Sequence, residues 1–474
     1  MRATLPALLL AFLLAAGCLA GTDPGTTTAP GTVDLSKVPV VGGVRLPDPH
    51  KDFSRIVPGD HFTPDGTIIK GGHSIRALHG GSELLELVGY NDLTDKLPLG
   101  AIGTGWSAGG IWTHYACLAQ FAGTGSLAIV DFADPTAPKV LSQVGDAMVN
   151  GDCQFTADGK YLFAGAYIGV AEPVSPPEGQ NPAGSYHTDG INVWNVEDKT
   201  APKFLMHSAT GTYHTLMLHT TAQNETYLIQ AYTGHIYRFN PAAPALGLVN
   251  TTTPMAHDMW IAKHPITGKT LLYSGASRGF VIYDFDDPTQ PKELAIWKPD
   301  VNVTGQQGWH RQATVDQLID GRAIVVVAGE NCNGGGTLPY SVVDVTDAAN
   351  PITLSTWEVP GKPESHDSAH LCEMSPHEFS VFDGYVASGN YHAGVWLWDI
   401  GSAERLRNPV TLGYYIPAKE PALEGNKALG AQDLTSPWNP FVWGSFFDER
   451  GYIVVGDFSS GLYILKIPGV THEA

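Results

Sequence analysis

This sequence of 474 residues has few charged side chains, and most of those are acidic. Only 16% of its residues are Asp, Glu, Lys or Arg, and the formal net charge is −20 with no basic cluster. Binding to nucleic acid by counterion release requires concentrated Lys and Arg, so a nucleic-acid partner is disfavoured. The acidic charge is expected to keep the protein soluble and to attract cations weakly.

The chain also lacks the common motifs of catalysis. It contains no CxxC pair, no phosphate-binding glycine loop, no recognisable Ser-His-Asp set and no two adjacent histidines. After the first twenty residues it has no long amphipathic helical pattern and no apolar run long enough to cross a membrane. Glycine (54 residues) and proline (34 residues) are abundant instead, which is typical of many short strands joined by turns.

The N-terminus has the pattern of an export signal. Arg2 precedes an apolar run over residues 5–16 that is too short to span a bilayer, and small residues follow it up to Cys18. This arrangement resembles the lipobox of lipoproteins, in which the cysteine becomes the acylated first residue. Ala15 stands where leucine is more usual, so secretion without a lipid is the alternative.

We therefore expect an exported protein at the cell surface or in the periplasm, which touches the membrane only through a lipid on Cys18. Export places the remaining cysteines in a compartment that permits disulfides. The predicted domains are a signal peptide at 1–17, a tether with an irregular segment at 18–70, the folded domain at 71–468 and a tail at 469–474.

A short phrase of alternating apolar residues returns seven times along the chain, at intervals of roughly 45–65 residues. Seven copies at this spacing predict an all-β fold, a seven-bladed β-propeller. The copies are SLAIVDF at Ser126, INVWNV at Ile191, HIYRFN at His235, FVIYDF at Phe280, SVVDV at Ser341, VWLWDI at Val395 and LYILKI at Leu462.

Flanking strands complete each blade. A proline-led strand follows most copies, as in PTAPKVLSQV from Pro135, because proline presets the turn and an edge strand tolerates its missing donor. Another strand precedes each copy, as in TLLYSGAS at Thr270, and an inner strand can usually be placed before that. Each blade is therefore predicted to have four strands.

These phrases, IVDF and VVDV above all, resemble the LVIVD-repeat family over roughly residues 72–467. The resemblance implies the propeller fold and no single activity. The last blade ends at Ile467 without an outer strand, and residues 83–91 (ELLELVGYN) look like the missing one. We expect this N-terminal strand to close the ring and to remove an exposed sheet edge.

Four successive blades are predicted to begin their inner strand with histidine: His214, His257, His310 and His370. Equivalent positions in a repeat share a height and a radius, so these imidazoles are expected to converge at one mouth of the channel. Imidazole binds copper, zinc or iron well, which makes a copper or zinc ion the candidate cofactor.

A structural role for these histidines is the competing hypothesis, because a polar residue at this position can bond the backbone of the neighbouring blade. His219, His264 and His377 are placed at the opposite end, beside turns, as ordinary turn residues.

The four cysteines beyond Cys18 predict two disulfides between neighbouring blades, Cys117 with Cys153 and Cys332 with Cys372. Two other pairings are open from the sequence. A soft metal ligand is the competing role for Cys372, which lies two residues after His370 on the same strand face.

Two functions follow from these patterns. The first is a binding scaffold at the cell surface, which engages a protein, a glycan or a small ligand through long loops such as 170–189 and 330–339. The second is a metal-dependent oxidase, because a histidine-lined propeller channel resembles the copper-bearing selenium-binding and methanethiol oxidase proteins.

Overall fold

The structure is a computed structural model. It describes residues 40–41, 44–45, 61–62, 68–69, 80–81, 85–91, 93, 111–119, 127–144, 152–166, 190–209, 215–231, 233–251, 256–276, 279–298, 309–330, 339–359, 375–391, 393–417, 442–457 and 461–471.

The N-terminal strands are β1 (Val40–Val41), β2 (Val44–Arg45), β3 (His61–Phe62), β4 (Ile68–Ile69), β5 (Gly80–Gly81) and β6 (Glu86–Asn91). The blade strands are β7 (Ile111–Trp112), β8 (Tyr115–Ala119), β9 (Leu127–Asp131), β10 (Lys139–Val144), β11 (Cys153–Phe155), β12 (Tyr161–Ala166), β13 (Gly190–Asn195), β14 (Lys203–Ser208), β15 (Leu216–Thr220), β16 (Thr226–Gln230), β17 (Ile236–Asn240), β18 (Ala245–Asn250), β19 (Asp258–Lys263), β20 (Thr270–Ala276), β21 (Gly279–Asp284), β22 (Lys292–Trp297), β23 (Trp309–Thr314), β24 (Ile324–Gly329), β25 (Tyr340–Asp344), β26 (Ile352–Trp357), β27 (Phe379–Phe382), β28 (Tyr385–Gly389), β29 (Val395–Asp399), β30 (Val410–Ile416), β31 (Val442–Phe447), β32 (Ile453–Asp457) and β33 (Gly461–Lys466). The described helix is α1 (Ala403–Arg407).

The blade strands form seven antiparallel sheets in chain order, which is the predicted seven-bladed β-propeller. Blades one to six are β7–β10, β11–β14, β15–β18, β19–β22, β23–β26 and β27–β30, and blade seven is β31–β33 with β6. Each repeated phrase is the third strand of its blade, as predicted. Within the described ranges, no helix is both long and apolar enough to cross a membrane.

Short Asp-x-Thr turns connect the third strand to the outer one in several blades. The Asp134 carboxylate accepts a hydrogen bond from the Thr136 amide at 3.0 Å, and Asp198 and Asp287 accept the equivalent bonds at 2.9 Å. An aspartate that bonds the backbone two residues later fixes a turn, so this local sequence aims the proline-led strand back along the blade.

The N-terminal strand closes the ring. β6 pairs antiparallel with β33, with Glu86 opposite Lys466 and Asn91 opposite Leu462, and it is the fourth strand of blade seven. The predicted closure is therefore confirmed. β5 adds a fifth strand to blade six by pairing with β30.

The inner strand of blade six differs from the prediction. It begins at Phe379 rather than at His370, because the turn that follows it has only two residues. Asp383 and Gly384 both have positive φ (48° and 82°), as a tight hairpin turn of this kind requires. The backbone amide of His377 therefore takes the position that His257 has in blade four.

Candidate metal centre

His257 and His310 lie beside each other at the start of the inner strands of blades four and five. The His257 amide donates to the Gly275 carbonyl at 2.8 Å, which extends the pairing of β19 with β20 by one residue. The two imidazole centroids are 4.1 Å apart. His310 is buried and His257 is half-buried.

A β-bulge directs the His310 side chain. In the pairing of β23 with β24, Trp309 faces Gly329 and Arg311 faces Ala328, so His310 is the extra residue. A bulge bends the strand locally and redirects a side chain, and such bulges are frequent beside functional sites.

Glu330 supplies a carboxylate to the same place. It follows β24 directly, at the end of the blade where the loop between the second and third strands begins. Its Oε2 atom lies 3.6 Å from His310 Nε2, and its Oε1 atom accepts a hydrogen bond from the Tyr391 hydroxyl. Burial raises the pKa of Glu330 to about 7, and the bond from Tyr391 opposes that rise.

His257, His310 and Glu330 can offer one ligand atom each, and these atoms all lie within 4.8 Å of one another. Metal–ligand bonds of about 2.0–2.2 Å place two ligands of one ion about 3.4 Å apart at a tetrahedral angle and at most about 4.2 Å apart. The separation of 3.6 Å between His310 and Glu330 already fits. The other separations are at most 4.8 Å, so they need to close by up to about 1.4 Å to reach the tetrahedral spacing.

His377 also lies here rather than beside a turn at the opposite end, so that prediction is wrong. Its amide donates to the Gly389 carbonyl at 3.0 Å, which is the blade-six equivalent of the bond made by His257. Its ring centroid is 4.2 Å from that of His310. Its Nδ1 atom is 2.6 Å from the Trp443 carbonyl, so this ring bonds the backbone of the next blade.

Buried charges surround a single arginine next to these histidines. Arg311 is fully buried, and its Nη1 donates to Asp258 Oδ2 at 3.2 Å. Its guanidinium also lies 4.8 Å from the Trp260 ring centroid. Burial raises the pKa of Asp152 and Glu378 well above their usual ranges, and that of Asp258 to a lesser degree, while Arg311 opposes all three shifts. Among the described residues, these three buried carboxyls thus share the Arg311 guanidinium, and burial favours their neutral form.

Of the two predicted disulfides, Cys117–Cys153 is present and joins blades one and two, with Cα atoms 6.2 Å apart. His214, His370, Cys18, Cys332 and Cys372 lie outside the described residues, so their predicted roles stay predictions.

Glu330 was placed by the sequence in a binding loop and was not identified as a ligand. The available signal is the repeat itself, because the second strand ends in Gly-Ala in blades two and four, at Ala166 and Ala276. The same position holds Glu330 in blade five, and Asn390 in blade six. A change from alanine to glutamate at this repeat position indicates a role beyond packing.

Several solved propellers resemble the chain in shape. The WD40 β-propeller domain of Doa1 is 11% identical, with 81% of this chain and 98% of that chain covered and a TM-score of 0.46. Hydrazine synthase of Kuenenia stuttgartiensis is 11% identical, with coverage of 81% and 100% and a TM-score of 0.49. The periplasmic gluconolactonase of Pseudomonas aeruginosa is 14% identical, with coverage of 74% and 90% and a TM-score of 0.44. Such low identities concern the fold alone. No family model and no curated protein matches the chain.

Proposed function

We propose that this chain is an exported β-propeller that binds one transition-metal ion at a mouth of its channel, through His257, His310 and Glu330. The convergence of two imidazoles and one carboxylate from two neighbouring blades carries this proposal. Each ligand comes from a strand start or a strand end, so the rigid blades preorganise the set.

The donor types indicate the class of metal. Two imidazoles and one carboxylate suit zinc, copper or iron rather than magnesium or calcium, which prefer oxygen ligands. Three protein ligands leave at least one coordination position for water or for a small ligand.

Export with a lipid on Cys18 is part of the proposal. Its support is the apolar run at residues 5–16 and the small residues before that cysteine. The Cys117–Cys153 disulfide adds support, because such bonds persist in oxidising compartments. Membership of the LVIVD-repeat family and binding of a protein, a glycan or a small ligand at the loop-rich face belong to the same proposal.

Metal-dependent oxidation is the second candidate function. A set of imidazoles and a carboxylate with an open position can hold a redox-active copper or iron ion, and that observation favours it. The metal found in the purified protein separates this candidate from a zinc site, which has no redox chemistry.

The test measures metal in the full mature protein. Elemental analysis of the protein as purified should find about one transition-metal ion per chain. After removal of metal with a chelator, titration calorimetry with zinc or copper should recover a single site. His257→Ala and Glu330→Gln should each weaken binding by about 100-fold or more, since loss of an outer-shell partner already costs 10–100-fold.

His219→Asn is the matched control, because His219 lies at the other end of the inner strand of blade three, near its turn. This variant should bind metal as the wild-type protein does. A wild-type protein that binds no metal overturns the proposal. So do His257 and Glu330 variants that bind as tightly as the control while circular dichroism shows all of them folded.

A further inference from the structure

Tyr391 has a backbone conformation that is unusual for a bulky side chain. It lies between β28 and β29 of blade six, it is 2% exposed, and its φ is +45°. The left-handed region is disfavoured for residues other than glycine, and residues held there cluster at functional sites. Contacts around Tyr391 must therefore stabilise this conformation.

Blade seven holds Tyr391 in this conformation. The Tyr391 amide donates to the Val442 carbonyl at 3.2 Å, and the Val442 amide donates back to the Tyr391 carbonyl at 3.0 Å. The Gly394 amide also donates to the Tyr391 carbonyl, at 3.1 Å. The preceding residue is fixed as well, because the Tyr340 hydroxyl donates to Asn390 Oδ1 at 2.9 Å.

The strained backbone places the Tyr391 hydroxyl on one oxygen of Glu330. The hydroxyl donates to Oε1, while Oε2 lies 3.6 Å from His310 Nε2. The Tyr391 ring also packs on His377, with centroids 4.8 Å apart, so the phenol cannot rotate away freely. One oxygen of the Glu330 carboxylate thus accepts a hydrogen bond from Tyr391, and the other oxygen lies near His310.

We propose that Tyr391 is a positioning residue that makes Glu330 a ligand through Oε2 alone and thereby keeps a coordination position open. This inference rests on the proposed function. Without the phenol, Oε1 loses this donor and can join the ion, so the carboxylate rotates or binds through both oxygens. Partners of this kind, which hold a ligand in place, typically contribute 10–100-fold to metal affinity.

Cobalt(II) is the probe for the test, because its visible absorption depends on the number and geometry of its ligands. The full mature protein, freed of metal, is titrated with Co²⁺ as the wild type and as Tyr391→Phe. The variant should bind Co²⁺ roughly 10–100-fold more weakly and should show changed visible bands. Tyr227→Phe is the matched control, since it removes the hydroxyl of another tyrosine that donates to a glutamate, Glu225, in blade three.

The outcomes of this titration test the proposed function and the role of Tyr391 separately. A wild-type protein without Co²⁺ binding contradicts the proposed function itself. A wild type that binds, with a Tyr391→Phe variant of equal affinity or of unchanged spectrum, contradicts only the role of Tyr391. If Tyr391→Phe does not fold, Tyr391→Asn replaces it, because asparagine tolerates the left-handed conformation and cannot reach Glu330 as tyrosine does. Weaker binding with changed bands in that variant supports the inference, and wild-type behaviour overturns it.

Discussion

Replacing Glu330 with glutamine is expected to stabilise the metal-free protein at high pH and to destabilise the protein that holds metal. Glutamine keeps the size of the side chain and an oxygen that can accept the Tyr391 hydroxyl bond, so the substitution removes little besides the ionisable proton. The substitution therefore removes the negative charge that Glu330 carries at high pH.

The magnitude follows from burial, which raises the pKa of Glu330 from 4.5 to about 7. Below pH 4.5 the carboxyl is protonated in both the folded and the unfolded protein, so it does not affect the difference between them. Between pH 4.5 and 7 the unfolded chain releases its proton first, and the free energy of unfolding falls. Above pH 7 the loss is complete at about 3 kcal/mol, since one pKa unit corresponds to about 1.4 kcal/mol.

Bound metal should reverse which of the two proteins, wild type or Glu330→Gln, is the more stable. A ligand at a thousandfold excess over its dissociation constant stabilises the folded state by about 4 kcal/mol, which exceeds the loss of about 3 kcal/mol. The wild type then becomes the more stable protein at pH 8, whereas Glu330→Gln gains little because its site is incomplete.

Urea unfolding followed by tryptophan fluorescence measures this at pH 4.5 and at pH 8, with and without zinc. The difference between variant and wild type is the quantity of interest, because Asp152, Asp258 and Glu378 titrate in both proteins. Glu449→Gln, in an exposed turn, is the control and should show no such pH dependence. An equal difference at the two pH values refutes the buried charge, and equal stabilisation of both proteins by zinc refutes the ligand role.

Three further changes test the fold. Arg311→Met leaves the buried carboxyls of the channel without their cation, so urea unfolding at pH 8 should show a loss of about 3–5 kcal/mol that shrinks at pH 4.5. Deletion through Asn91 removes β6 and should lower the melting temperature strongly, whereas deletion of residues 22–67 should leave it nearly unchanged. Replacing Cys117 and Cys153 with serine opens a loop of 36 residues and should cost about 3–4 kcal/mol, and peptide mapping without reductant should find the two joined.

The third strands of the blades could be predicted because most of them are buried on both faces. Every residue of β9 except its last is buried, and the same holds for β13 and β29. Such strands are nearly continuous apolar phrases, which the sequence displays without reference to their partners. The closing strand β6 is only partly buried and was predictable for a different reason, because blade seven lacked an outer strand in the sequence that follows it.

The inner strands were harder to predict from the sequence. They carry the polar residues, and the hairpin that follows them varies in length from blade to blade. His257 and Gly275, which share a backbone hydrogen bond, are eighteen residues apart, while His377 and Gly389 are twelve apart. The prediction of His370 assumed a longer hairpin in blade six than in the other blades, whereas the structure has a shorter one. The pair Asp383-Gly384 is the local signal of the shorter turn, and it outweighs an average spacing.

The backbone conformation of Tyr391 could not be predicted from the sequence. Its positive φ comes from a bridge to Val442 in the next blade, 51 positions along the chain, rather than from a glycine or an asparagine at that position. Tertiary contacts override local preference there, as is common at sites that hold strain.

The sequence allows two roles for the polar residues at the start of the inner strands, a bond to a neighbouring backbone and the binding of a metal ion. His377 Nδ1 lies 2.6 Å from the Trp443 carbonyl, so blade six uses this position to bond the backbone of the next blade. Asp152 Oδ2 accepts from the Leu216 amide at 3.1 Å, but Asp152 lies one position further along its strand, where blade four has Asp258 and blade six has Glu378. His257 and His310 stand at the position equivalent to that of His377 and differ in having Glu330 beside them. Under the proposed function, the Glu330 carboxylate adds a metal site to a position that otherwise joins neighbouring blades, and Glu330→Gln removes that carboxylate while it leaves the paired strands in place.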